Sequence, residues 1–122
     1  MSSRDQTFDV LLDLDGETFV IDPAGKYWVK FEVKEVAVSA ERPHGLKYSL
    51  TLHNEAGERL VGFDNAHAVK SGRGPGAISP EAHDHRHRMR TVRPYDYKSP
   101  ADLLEDFWSE VDAVLMENGV ER

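Results

Sequence analysis

Val29, Phe31 and Val33 alternate with Lys30, Glu32 and Lys34, the period of two that puts every other side chain on one face of a β-strand. A half-buried strand is therefore expected from residue 27, continuing with a phase slip at Glu35 through Val36 and Val38, where a β-bulge or a break accounts for the change of register. Tyr48, Leu50 and Leu52 alternate in the same way with Lys47, Ser49, Thr51 and His53. Asn54, Glu55, Ala56, Gly57 and Glu58 form a turn before a returning strand over residues 59–63, so residues 46–64 are the clearest hairpin in the chain. Residues 8–14 alternate more weakly, and Asp15 and Gly16 ahead of Thr18, Phe19, Val20 and Ile21 predict another hairpin over 8–21.

Gly72, Gly74, Pro75, Gly76 and Pro80 leave residues 68–82 too little apolar material to pack, and a long mobile loop is expected there. Residues 89–97 read as a last strand through Met89, Thr91 and Val92, confined to a sheet edge because Pro94 has no N–H to donate. The C-terminal segment switches period. Ser99 is placed as an N-cap and Pro100 at the first helical position, and Leu104, Phe107, Trp108, Val111, Val114 and Leu115 recur at helical spacing until Gly119 stops the run. The expected fold is α+β in a single domain over 1–122: a largely antiparallel sheet of about five to six strands with one long C-terminal helix packed on one face.

Composition narrows the function classes. The 122 residues include no cysteine, which excludes thiolate metal sites and cysteine nucleophiles and leaves histidine and oxygen as the ligands for any metal. No apolar run approaches the ~20 residues of a membrane span. Asp9, Asp13 and Asp15 break the first apolar stretch, so a secretory signal is not expected and the cytoplasm is the default location. The net charge of −7 argues against a surface built throughout to bind nucleic acid. The charge is uneven, however: −5 over residues 1–69, +4 over 70–98 and −6 over 99–122. The basic stretch, with His67 just before it, holds four of the six histidines.

His83, Asp84, His85, Arg86, His87 and Arg88 are consecutive. In an extended chain the three histidines project to one side, and Asp84, Arg86 and Arg88 to the other. Two readings stay open. An H-x-H pair with a third histidine, Asp64 or His67 is a candidate site for a divalent metal, with His83, His85 and His87 as candidate ligands. Alternatively, imidazoles serve as acid and base in phosphodiester cleavage, with guanidinium groups on the phosphate. Each reading stands beside a plainer one. The cluster is also what a solvated loop would show, His44 before Gly45 suits a turn, His53 a surface, and Asp64 with Asn65 an Asx-turn. Phe107 and Trp108 read as core. The acidic face of the final helix, with Asp102, Glu105, Asp106, Glu110, Asp112 and Glu117, reads as a solubilising face or as a dock for a basic partner.

Three blocks taken together resemble a known family: His44 to Leu50 (HGLKYSL), Arg59 to His67 (RLVGFDNAH), and His83 to His87 (HDHRH). Their order and spacing are similar to those of the TumE-type toxins of bacterial toxin–antitoxin modules, over about residues 26–117. The resemblance implies a bacterial toxin neutralised by a cognate helix-turn-helix antitoxin encoded beside it, with nuclease action on RNA as the conjectured activity. The motif positions are His44, Lys47 and Tyr48, then Asp64, Asn65 and His67, then His83, His85 and His87. The sequence departs from the family pattern in its long glycine-rich loop and at Asp84, where the pattern often has histidine. That departure weakens any scheme in which adjacent histidines share a metal and leaves the His83, His85, His87 face intact.

The reading that follows is a toxin acting on RNA or another phosphodiester. Its expected catalytic set is His85 and His87 as acid and base, with His83, His67, Arg86 and Asp64, the last orienting a histidine. Lys47, Tyr48, Asn65, Arg88 and Arg90 are the expected substrate-binding set. The alternatives are a non-catalytic protein-binding module that uses the acidic helix and the histidine loop, and a metal-binding protein. A homodimer is a further expectation.

Overall fold

The computed structural model of the chain describes residues 6–40, 44–65, 84–88 and 91–120. Among these residues six strands run in chain order across a single sheet: β1 (Thr18–Val20), β2 (Trp28–Glu35), β3 (Leu46–His53), β4 (Arg59–Asp64), β5 (His85–Arg88) and β6 (Thr91–Pro94). Every neighbouring pair is antiparallel. Among the described residues two helices, α1 (Gln6–Asp13) and α2 (Pro100–Glu117), complete the α+β fold. Helix α2 packs on β4, and α1 packs on α2 and β2.

The alternation read from the sequence decides which side of the sheet they cover. Val29, Phe31 and Val33 of β2 pair across to Leu52, Leu50 and Tyr48, which in turn face Val61 and Phe63 of β4, and all of these are buried. Leu103, Phe107, Val111, Val114 and Leu115 of α2 close this layer. Phe107 stands edge-on to both Phe31 and Phe63, at 5.6 and 6.0 Å between ring centroids. Ser99 caps α2 as expected, its hydroxyl accepting from the Asp102 amide at 3.1 Å.

The N-terminal expectation is corrected. Residues 6–13 are helical, because Phe8, Leu11 and Leu12 sit at i, i+3 and i+4, which outweighs their weak alternation. Leu11 is fully buried, and Phe8 and Leu12 pack against the core beside it. Asp15 and Gly16 therefore join a helix to a strand and do not turn a hairpin. The hairpin that does form, β1 with β2, turns lower down, where Asp22 Oδ1 accepts from the amides of Lys26 and Tyr27 at 2.9 and 2.8 Å. Strand β2 ends at Glu35 and does not continue through Val38, which is exposed. At the far end, residues 85–88 form a full strand before the expected last one, and Pro94 lies on the edge strand β6. The glycine-rich loop over 68–82 lies outside the described residues.

Candidate functional site

The sheet has a face that neither helix covers. Asp64 of β4 is paired in register with His85 of β5, and Gly62 with His87. Cross-strand partners share a face, so one carboxylate and two imidazoles stand together there. Asp64 Oδ2 lies 2.9 Å from His87 Nε2, and Asp64 Oδ1 lies 3.9 Å from His85 Nδ1. The three side chains are only 14%, 15% and 8% exposed for Asp64, His87 and His85 respectively.

That geometry assigns atoms to roles. His87 donates its Nε2–H to the carboxylate, which leaves Nδ1 as the ring's acceptor. His87 Nδ1 and His85 Nε2 are both buried, and among the described residues neither has a hydrogen-bond partner. Burial holds the His87 imidazole below its ordinary value. The Asp64 carboxylate pulls it up, and Arg59 and His85 push it down again. Burial thus disfavours the charged form of His87, the direction that suits a proton acceptor.

Motif residues from all three blocks converge here, but not all on the histidine face. Tyr48 is buried on the helix side, and its hydroxyl donates to Asp84 Oδ2 at 2.7 Å. Burial and the neighbouring Asp84 charge hold that phenol protonated far above the usual tyrosine range. Asn65 is spent on the backbone of β3: its Oδ1 accepts from the Tyr48 amide at 2.9 Å and its Nδ2 donates to the Leu46 carbonyl at 2.5 Å. The two residues therefore clamp the chain on either side of the site. Asn65, the residue after Asp64, is tied to β3 through its own side chain, and Tyr48 pins Asp84, the residue before His85. Lys47 is exposed on the histidine face, paired in register with Lys34.

Arg86 and Arg88 are not brought to the histidines. They pair with Phe63 and Val61, whose side chains face the helices, so both arginines point to the helix side. Arg88 meets α2 there, with its Nε 3.8 Å from Glu110 and its Nη2 bonded to Glu117. Tyr95 donates to Asp106 at 2.6 Å, so Asp106, Glu110 and Glu117 serve contacts within the chain. His44 stacks against Tyr97 and His53 against Trp28, each at 4.1 Å between ring centroids. His67, His83 and Arg90 lie outside the described residues. Among the described residues, no three His, Asp or Glu side chains are grouped so as to hold a metal ion.

One residue of this face escaped the sequence reading. Arg59 acts electrostatically on both His87 and His53, and its position depends on a strand irregularity that only the pairing reveals.

The sequence model of the family described as Toxin TumE matches residues 27–115, which takes in β2 through most of α2. The chain belongs to that family. No curated protein and no solved structure matches it. Membership makes it the toxin component of a toxin–antitoxin module, with an antitoxin as its partner. Among the described residues, no helix is long and apolar enough to cross a membrane.

Proposed function

We propose that this toxin of the TumE family acts on RNA, or a related phosphodiester, through Asp64, His85 and His87. The observation that carries the reading is the Asp64–His87 hydrogen bond of 2.9 Å, beside nitrogens of His87 and His85 that have no partner among the described residues. A carboxylate that holds one ring nitrogen fixes the ring and leaves the other nitrogen as its acceptor, and neutral and protonated imidazoles supply base and acid.

For RNA the step is internal transfer. His87 Nδ1 takes the proton of a ribose 2′-hydroxyl, the 2′-oxygen bonds to phosphorus, and the bond from phosphorus to the 5′-oxygen breaks. His85, in its protonated form, gives its Nε2 proton to that oxygen. The products are a 2′,3′-cyclic phosphate and a free 5′-hydroxyl. Asp64 orients His87 and stabilises the imidazolium as it forms. Arg86 and Arg88 take no part in this scheme, because the sheet separates them from the histidines. The cognate antitoxin carries a helix-turn-helix domain, and the toxin works in the cytoplasm.

The test is growth after induction of the wild type beside a His85→Ala, His87→Ala double variant at matched soluble expression. Arrest by the wild type alone supports the reading. Purified protein is then mixed with RNA with and without EDTA. RNA that stays intact in both, at high protein excess, overturns it. Cleavage lost on adding EDTA would instead favour a metal held by the histidines.

A further inference from the structure

A bulge places a cation on the histidine face. Strands β3 and β4 pair from Ser49 with Asp64 to Leu52 with Val61 and then slip, so that His53 faces Arg59. Without the slip, alternation would send Arg59 to the side of Val61 and Phe63, toward the helices. The extra residue is Leu60, which turns into the core and is 5% exposed. Arg59 is thereby moved to the histidine face.

Its side chain then lies along Gly62. A Cβ built on Gly62 would stand 3.2 Å from Arg59 Cδ, 3.5 Å from Nε and 3.6 Å from Nη1, so the glycine leaves the space that the guanidinium stem occupies. Gly62 is the cross-strand partner of His87. Among the described residues Arg59 has no carboxylate within ion-pair distance, in contrast to Arg88 on the helix side.

We propose that Arg59 is the phosphate-binding residue of the site, its guanidinium laid along Gly62 beside His87 to donate paired N–H bonds to the non-bridging oxygens of the substrate's phosphodiester. The planar fork of arginine matches two phosphate oxygens at once, and a cation beside a base also favours the neutral form of that base. This inference rests on the phosphodiester reading above and names the group that holds its anion.

The test uses the full chain with its histidine rings isotope-labelled, titrated with inorganic pyrophosphate and followed at the His87 ring signals by NMR. Wild type should show saturable shifts. Arg59→Gln should weaken binding about tenfold or more, the effect of losing a charge-assisted hydrogen bond. Arg59→Lys should recover part of that loss. Gly62→Ala, which crowds the Arg59 stem and leaves its charge intact, should weaken binding in the same direction. Arg93→Gln, a change on the opposite face, should leave binding unaltered. His87 should also titrate at a higher pH in Arg59→Gln, since a nearby cation has been removed.

A wild type whose His87 ignores pyrophosphate, or an Arg59→Gln variant that binds it as the wild type does, overturns the assignment. Cleavage of an RNA oligonucleotide separates the two claims. Pyrophosphate bound through Arg59 with no RNA cleaved leaves the anion site standing and removes the phosphodiesterase reading. RNA cleaved equally by the wild type and Arg59→Gln does the reverse.

Discussion

Tyr48 donates its hydroxyl hydrogen to Asp84 across 2.7 Å, and its backbone amide donates to the Asn65 side chain at 2.9 Å. One residue of β3 thus holds the last residue before His85 and the first after Asp64. The site is built as two strand ends tied to a common post, which gives Tyr48 and Asn65 a positioning role.

Removing the hydroxyl should therefore act on the site through the fold. Tyr48→Phe leaves Asp84 without its phenolic donor in a part-buried position, at a cost of about 1–3 kcal/mol. Urea unfolding measures that loss. The Asp64–His87 contact, followed by the His87 ring signals, should become more mobile as β5 loosens at its start. Unfolding midpoints equal to those of the wild type would show the bond to be idle.

Asn65 offers a sharper substitution. Asn65→Asp keeps an oxygen for the Tyr48 amide and replaces the donor to the Leu46 carbonyl by a second acceptor. Two acceptors then face each other in a buried place, and stability should fall by about 2 kcal/mol or more. Asn65→Ala, which removes both bonds and no charge, is the comparison. A fully stable Asn65→Asp would refute the assigned orientation of the amide.

The response to pH follows from His87. Its folded value lies below the ordinary histidine value of 6.5, with burial as the main cause and the charges of Asp64, Arg59 and His85 around it. The unfolded chain therefore binds a proton first as pH falls, and its contribution to stability, full above about 6.5, declines as pH drops toward the folded value. His53 is held down in the same direction by burial. Thermal unfolding between pH 7.5 and 5 should show the midpoint falling on acidification. In Asp64→Asn the carboxylate that supports the imidazolium is gone, so His87 should titrate lower still, an NMR measurement of one ring.

Arg88 serves as a contrast on the helix side. Its partner Glu117 is 62% exposed, so Arg88→Gln should cost less than about 1 kcal/mol, with the loss shrinking in high salt. A larger loss that salt does not reduce would place the Glu110 contact, not the Glu117 one, at the centre of the pair.

Much of the fold was legible because period and burial agree. The alternation at Val29, Phe31 and Val33 and at Tyr48, Leu50 and Leu52 marked the sides of the two central strands, and the Ser99 and Pro100 start of α2 needed no tertiary support. Residues 8–14 supply both periods, since Phe8, Val10, Leu12 and Leu14 alternate while Phe8, Leu11 and Leu12 sit at helical spacing, and packing of Leu11 against the core settles the matter. The histidine and arginine run was legible as two opposed faces. That the arginines turn toward α2 was not, since the sequence does not say which face the helix covers at β5.

By itself the sequence determined the hairpin of β3 and β4, the alternation of β2 and the capped helix, the split of His85 and His87 from Arg86 and Arg88 in an extended chain, and the three family blocks that mark the chain as a TumE toxin. Local chemistry suffices for each of these, because side-chain alternation and capping involve only near neighbours along the chain. Only the tertiary structure decided that Asp64 meets His87, that Tyr48 and Asn65 hold the strands, and that Arg59 rather than Arg86 shares the histidine face. Those relations depend on register between strands some twenty residues apart and on one bulge at Leu60. A shift of one residue there exchanges the faces, and the choice is made by core burial of residues far from the site.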